Sequence, residues 1–275
     1  MHGAADLVSP STPVAAGPRR AAHLQLSELA FAYPGAGSVF RALNLQVQPG
    51  EFVAVLGPSG CGKSTLLNLL AGFLQADGGS VQLNGQSIRP EMPELGYVFQ
   101  SPNLFPWLTV LDNVRFGLQM AGSLSAAEQI ARARHYIDLV GLGAAAELFP
   151  HQLSGGMRQR VSLARTLAPE PTLLLADEPF GALDAITRRH MNEELLRLWS
   201  QLGQSILFIT HDIDEAIFLA DRVVLLGRAP QGIDSELAID LPRPRSFAST
   251  TRLPRFLEYR NHLLDRIAHV TETFA

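Results

Sequence analysis

The stretch Gly57-Pro58-Ser59-Gly60-Cys61-Gly62-Lys63-Ser64-Thr65 joins three glycines to a lysine and three hydroxyls. Phe52-Val53-Ala54-Val55-Leu56 before it reads as a buried strand, and the apolar run from Leu66 to Leu74 after it reads as a helix. Backbone amides of a glycine-rich turn, backed by the positive end of the next helix, suit polyphosphate. Lys63 can reach the β- and γ-phosphates and Ser64 can bind Mg²⁺. A strand, this loop and a helix in that order predict a site for ATP or GTP.

Two further groups carry chemistry. Leu173-Leu174-Leu175-Ala176 runs into adjacent carboxylates, Asp177 and Glu178, at a strand end where ligands of open α/β sheets gather. Asp177 is expected to hold Mg²⁺ directly or through water. Glu178, turned to the other side of the chain, is expected to orient or deprotonate an attacking water. Leu153-Ser154-Gly155-Gly156 precedes the helical stretch Val161–Leu167, so Ser154 is an N-cap and the two glycines bare the amides of a helix start that attracts anions.

The elements that position these groups follow from periodicity. Apolar runs at 23–33, 39–47, 51–56, 81–83 and 96–99 predict a β-rich start around the phosphate loop. From Thr109 to Gly141 the period is helical, with a capping box at Ser125-Ala126-Ala127-Glu128 and Ile130, Ala133, Ile137 and Val140 on one face. Buried-strand runs return at Thr172–Asp177, Ser205–Thr210 and Arg222–Leu226, with Met191, Leu195, Leu198, Trp199 and Leu202 marking a helix between them. The predicted fold is α/β: a P-loop NTPase core with a mostly parallel sheet, an antiparallel β subdomain and an inserted α-helical subdomain at about 101–168. Residues 1–22 read as a flexible tail and 23–235 as the ATPase domain. Past Gly227 the chain reads as proline-rich loop, and 236–275 form an extension with an amphipathic helix from Pro254 to His269, expected to pack on its own body rather than on a partner.

Composition narrows the classes. With 275 residues, 47% of them hydrophobic, the chain builds a core readily. A net charge of −4 and a pI near 6.1 give no broad positive field, which disfavours nucleic acid as the partner. Cys61, the one cysteine, permits no intrachain disulfide, points to a reducing compartment and reads as a small filler in the loop. No apolar run approaches the roughly 20 residues that span a bilayer. Arg19-Arg20 is treated as solvated charge rather than an export signal.

From residue 24 to about 226 the chain resembles the ATP-binding-cassette (ABC) ATPases, whose signature Leu-Ser-Gly-Gly-Gln is matched by Leu153-Ser154-Gly155-Gly156-Met157. The resemblance implies that Tyr33, in Phe31-Ala32-Tyr33-Pro34, stacks on adenine, with a plain strand aromatic as the alternative. It implies that Gln100, in Tyr97-Val98-Phe99-Gln100, contacts Mg²⁺ and the attacking water and senses the transporter. Asp184, in Gly181-Ala182-Leu183-Asp184, would meet a second subunit, and His211, in Phe208-Ile209-Thr210-His211-Asp212, would be the switch histidine on the γ-phosphate. Ser154, Gly155 and Gly156 of one subunit would face Gly57 to Thr65 of the other, giving a homodimer that buries two ATP molecules. Hydrolysis would use Glu178 as the catalytic carboxylate, with Lys63, Mg²⁺ and His211 stabilising phosphoryl charge. Met157 departs from the signature, because methionine lacks the glutamine's hydrogen bonds; activity is expected to survive.

Without a second cassette, a long coiled-coil insertion, a basic arm or a fused membrane domain, the expectation is the detached ATPase of an importer. Such a subunit is peripheral at the cytoplasmic face of the inner membrane, binds two permease subunits and meets a periplasmic binding protein indirectly. The segment Ser101-Pro102-Asn103-Leu104-Phe105-Pro106-Trp107-Leu108-Thr109 resembles the permease-facing stretch of the nitrate, sulfonate and taurine group. Phe105 and Trp107 would be exposed there to dock a permease helix, or else be core residues of the insert. Asn68-Leu69-Leu70-Ala71-Gly72-Phe73 and Phe116-Gly117-Leu118-Gln119-Met120-Ala121-Gly122 are most similar to the ATPases of taurine import, with nitrate, aliphatic sulfonate or a thiamine precursor as alternative cargoes. A soluble regulatory ATPase is the rival from another class.

Overall fold

A computed structural model describes residues 21–35 and 37–272. The tail expected at 1–22 lies outside the described residues up to Arg20, as do Arg19 and Arg20 themselves. Ala22 already belongs to the body, where it is buried and its carbonyl accepts from Ser205 Oγ at 2.6 Å.

Strands β1 (Leu24–Ala32), β2 (Ser38–Val47) and β3 (Phe52–Leu56) lead into helix α1 (Lys63–Leu70). Then come β4 (Gly78–Leu83), β5 (Gln86–Ser87) and β6 (Leu95–Val98), followed by α2 (Val110–Ala121), α3 (Ala126–Leu139) and α4 (Gly155–Leu167). The second half alternates β7 (Leu173–Asp177), α5 (Ala185–Leu202), β8 (Ser205–Ile209), α6 (Ile213–Leu219), β9 (Arg222–Leu226) and β10 (Ile233–Ala238), and ends with α7 (Phe247–Thr250) and α8 (Pro254–Glu272). One sheet has the order β10-β9-β3-β8-β7-β6, parallel except for β10; the other, β2-β1-β4-β5, is antiparallel.

The central strands are continuous apolar runs because both faces of the parallel sheet are covered. Alternate residues sort into two cores: Phe52, Ala54 and Leu56 point to one with Leu174, Ile206 and Phe208, while Val53 and Val55 point to the other with Leu173, Leu207 and Ile209. The first core is closed by helices α2 to α6 and α8, the second by α1 and the antiparallel sheet. All the parallel strands therefore end on one rim, where β3, β7 and β8 deliver the phosphate loop, the carboxylates and His211.

Three sequence expectations need correction. The chain past Gly227 is not all loop: β10 pairs antiparallel with β9 along Ile233–Ala238, so the expected boundary at 235 falls inside a strand. Ile130, expected on the buried face of α3, is 36% exposed; Gln129 takes the inward position, donating to Leu124 O at 2.9 Å and accepting from Arg115 Nε at 3.2 Å. Of the pair expected exposed, only Trp107 is, at 71%. Phe105 is half-buried against Phe116, and its loop is pinned by Asn113, whose Nδ2 donates to the Phe105, Leu108 and Thr109 carbonyls. The capping box at Ser125 and Glu128 forms, and α8 packs on the body through Phe256, Leu263 and Val270.

Candidate nucleotide site

The phosphate loop is shaped by glycines that nothing larger replaces. Gly62 is the N-cap of α1 at φ 100°, and a Cβ there would lie 2.6 Å from Val39 Cγ1 and 2.8 Å from Phe40 Cζ. A Cβ on Gly57 would lie 2.7 Å from Cys61 Sγ and 3.0 Å from Leu226 O. Cys61 is thus the filler beneath the loop, and burial pushes its thiol pKa up, away from thiolate chemistry. No side chain caps α1, so its first amides are unengaged by any side-chain cap. Lys63 Nζ lies over the turn, donating to Gly57 O at 2.8 Å and Pro58 O at 3.1 Å. Ser59, Gly60 and Thr65 complete the loop, and Tyr33, 41% exposed, sets its hydroxyl 3.2 Å from Thr65 Oγ1.

The two adjacent carboxylates at the end of β7 have different partners. Asp177 accepts a long bond from Ser64 Oγ at 3.4 Å. Burial pushes its carboxyl pKa up; the Ser64 hydroxyl pulls it down, Glu178 adds to the rise and Lys63 opposes it. Glu178 adopts φ 41°, an uncommon left-handed conformation for a non-glycine. Its amide donates to Ile209 O at 3.0 Å, and Oε2 lies 3.0 Å from His211 Nδ1. A tautomer carrying the proton on Nδ1 donates to that carboxylate and leaves Nε2 on the far side of the ring.

The structure therefore brings Tyr33, Gly57 to Thr65, Asp177, Glu178 and His211 together. It groups Ser154, Gly155 and Gly156 elsewhere, at the start of α4 against the start of α5. A Cβ on Gly156 would lie 2.8 Å from Thr187 Cγ2, and the nearest neighbour of Gly155 is Leu183. Ser154 Oγ accepts from Met157 N at 3.2 Å, and the partly buried Met157 side chain packs on the main core. Asp184 caps α5, accepting from Ile186 N and Thr187 N at 3.1 and 3.0 Å; those backbone bonds hold its carboxyl below the usual carboxylate range. Among the described residues no hydrogen bond joins Ser154–Met157 to the phosphate loop. Gln100 is exposed two residues past β6, the strand beside β7.

Residue-by-residue reading missed Arg188, Asn192 and Glu215, which tie α5 to the His211 loop. Arg188 donates to the Gly181 and Leu183 carbonyls and pairs with Asp212 at 3.5 Å. A signal was present in Asp212 and Glu215, a helix cap with a carboxyl three residues on.

A glycine loop between β3 and α1, with paired carboxylates at the end of β7, the parallel strand one beyond β8, defines a P-loop nucleotide-binding domain. The chain belongs to the ABC transporter family, whose sequence profile matches residues 40–181. It is 49% identical over 239 residues to the taurine import ATP-binding protein TauB of Pseudomonas aeruginosa, spanning 86% of this chain and 90% of that protein. It is 48% identical over 233 residues to the nitrate import ATP-binding protein NrtD of Synechococcus elongatus, spanning 82% and 85%. A dimeric bacterial ABC transporter cassette, 32% identical, matches with a TM-score of 0.68 over 79% of this chain and 99% of that one.

Proposed function

We propose that this chain is the ATP-hydrolysing subunit of an ABC importer, working as a homodimer beneath two permease subunits. The observation that carries the reading is the convergence of Lys63, Ser64, Asp177, Glu178 and His211, from three separate elements, on one rim of the sheet. Lys63 and the loop amides bind the phosphates of ATP. Ser64 Oγ and the Asp177 carboxylate are hard oxygen donors that fit Mg²⁺, joined by Gln100. Among the described residues no group of three or more His, Cys, Asp or Glu could hold a metal, which suits an ion that completes its shell with phosphate oxygens and water. When bound, Mg²⁺ supplies neutralisation of the phosphoryl charge. Glu178 orients and deprotonates the attacking water, while His211, steadied through Nδ1, presents Nε2 to the γ-phosphate. Tyr33 stacks on adenine.

Ser154, Gly155 and Gly156 close the site of a second copy, with Asp184 at the seam; their separation from the phosphate loop of their own chain supports this. None of the described helices is long and apolar enough to cross a membrane, so attachment to the cytoplasmic face falls to the permeases. A periplasmic binding protein then acts indirectly, and nucleic acid plays no part. The relative named for taurine import supports taurine or a related sulfonate as cargo; the relative named for nitrate import, almost as similar, carries a second reading. Glu178→Gln is expected to keep ATP binding and to lower turnover about a thousandfold, measured by phosphate release. Reconstitution with the neighbouring permease genes decides the cargo: stimulation by a taurine-loaded binding protein supports the first reading, stimulation by nitrate alone the second.

A further inference from the structure

Glu215, on the first turn of α6, is only 5% exposed, yet it has no part in the chemistry proposed above. Thr210 Oγ1 donates to Glu215 Oε2, and the same hydroxyl accepts from the Asp212 amide at 3.0 Å. The Glu215 amide in turn donates to Asp212 Oδ1 at 3.1 Å. Both neighbours of His211 are therefore bound to this one residue. Glu215 Oε1 has no hydrogen-bond partner, and neither does Oδ1 of Asn192, which is 1% exposed on α5. The Asn192 side chain is one of the groups that act on the Glu215 carboxyl. A proton on Oε1, with the amide turned to present its oxygen, satisfies both atoms at once.

We propose that Glu215 is a positioning residue for His211, a neutral carboxylic acid that clamps the end of β8 to α5. The inference rests on the reading of His211 given above. Burial pushes the Glu215 carboxyl up, against the pull of the Thr210 and Asn192 side chains. The charges facing it do not reverse that: Asp212 adds to the rise, Arg188 is already paired with Asp212 at 3.5 Å, and Arg260 of α8 is paired with Asp214 at 2.9 Å. With Oε1 making no hydrogen bond, a bare carboxylate in so dry a place is the costlier state.

ATP turnover and ATP affinity of the full chain test the clamp. Glu215→Ala and Thr210→Val are expected to lower kcat about tenfold to a hundredfold, as a small displacement of a catalytic group does, with ATP affinity unchanged within about threefold. Glu215→Gln, the isostere of the neutral acid, is expected to keep kcat within about threefold of the parent. In infrared difference spectra at neutral pH, the parent should show a protonated-carboxyl band that Glu215→Gln removes. Glu215→Gln as slow as Glu215→Ala, an unchanged kcat in Glu215→Ala, or the absence of that band would each overturn the proposal. A parent chain that hydrolyses no ATP sinks the ATPase reading instead, and the infrared band still decides the proton on Glu215.

Discussion

Two helices of this chain start in glycine-rich segments, and their starts differ in who uses the amides. At α1 the cap is Gly62 at φ 100°, a residue with no side chain to offer, so the first-turn amides remain for a ligand. At α4 the cap is Ser154, whose oxygen accepts from Met157 N. A hydroxyl that accepts in this way still has its own proton to donate. The first start leaves its amides to an anion with no side chain in the way; at the second the cap takes the Met157 amide and the serine keeps its own proton to donate beside the glycine amides. Glycine content alone does not separate an anion cradle from a capped helix; the cap residue does.

That contrast can be broken in descending steps. Lys63→Ala removes the cation from the open start, and ATP affinity should fall about a hundredfold by equilibrium titration. Unchanged affinity would mean the open start is not the phosphate site. Gly62→Ala places a methyl against Val39 and Phe40 at a left-handed φ, so chemical unfolding should show a loss of about 2 kcal/mol or more along with weakened ATP binding. Ser154→Ala strips the closed start of its cap and should cost about 1 kcal/mol. A cost as large as that of Gly62→Ala would erase the distinction between the two starts. Met157→Gln restores the more usual signature at a side chain packed on the core and should shift stability by less than about 0.5 kcal/mol.

The far end of the chain shows a different kind of helix terminus. Arg245 is buried and its Nη1 donates to the carbonyls of Ile217, Phe218 and Ala220, at the C-terminus of α6. Arg243 reaches Leu219 O and Asp221 and lies over the Trp199 ring at 4.3 Å. Burial lowers the Arg245 guanidinium to about 10, still charged at neutral pH. Two arginines in a segment that reads as proline-rich loop thus supply donors to carbonyls that a helix end leaves unpaired. They join the C-terminal extension to the ATPase core.

Where local chemistry decides, the residues were readable. The runs that form β3, β7, β8 and β9 are five-residue segments with at least four apolar residues each, and the loop of Gly57 to Thr65 needs its glycines for its own backbone path. The capping box at Ser125 and the N-cap at Ser154 are satisfied within a single turn. Strand β10, with the mixed text Ile-Asp-Ser-Glu-Leu-Ala, was not readable, because an edge strand exists through its pairing with β9. The burial of Gln129 in place of Ile130 likewise depends on Arg115, a partner 14 residues away on another helix.

By itself the sequence determined the phosphate loop, the alternation of strands and helices through the core up to β9 and the types of group able to handle a nucleotide, since each is written in spacings of a few residues. The tertiary structure alone decided that Glu178 meets His211, that Ser154 stands apart from the phosphate loop, and that Glu215 is buried beneath the His211 loop. Those outcomes depend on parallel strands distant in sequence ending on one rim, a long-range packing result that no local pattern encodes.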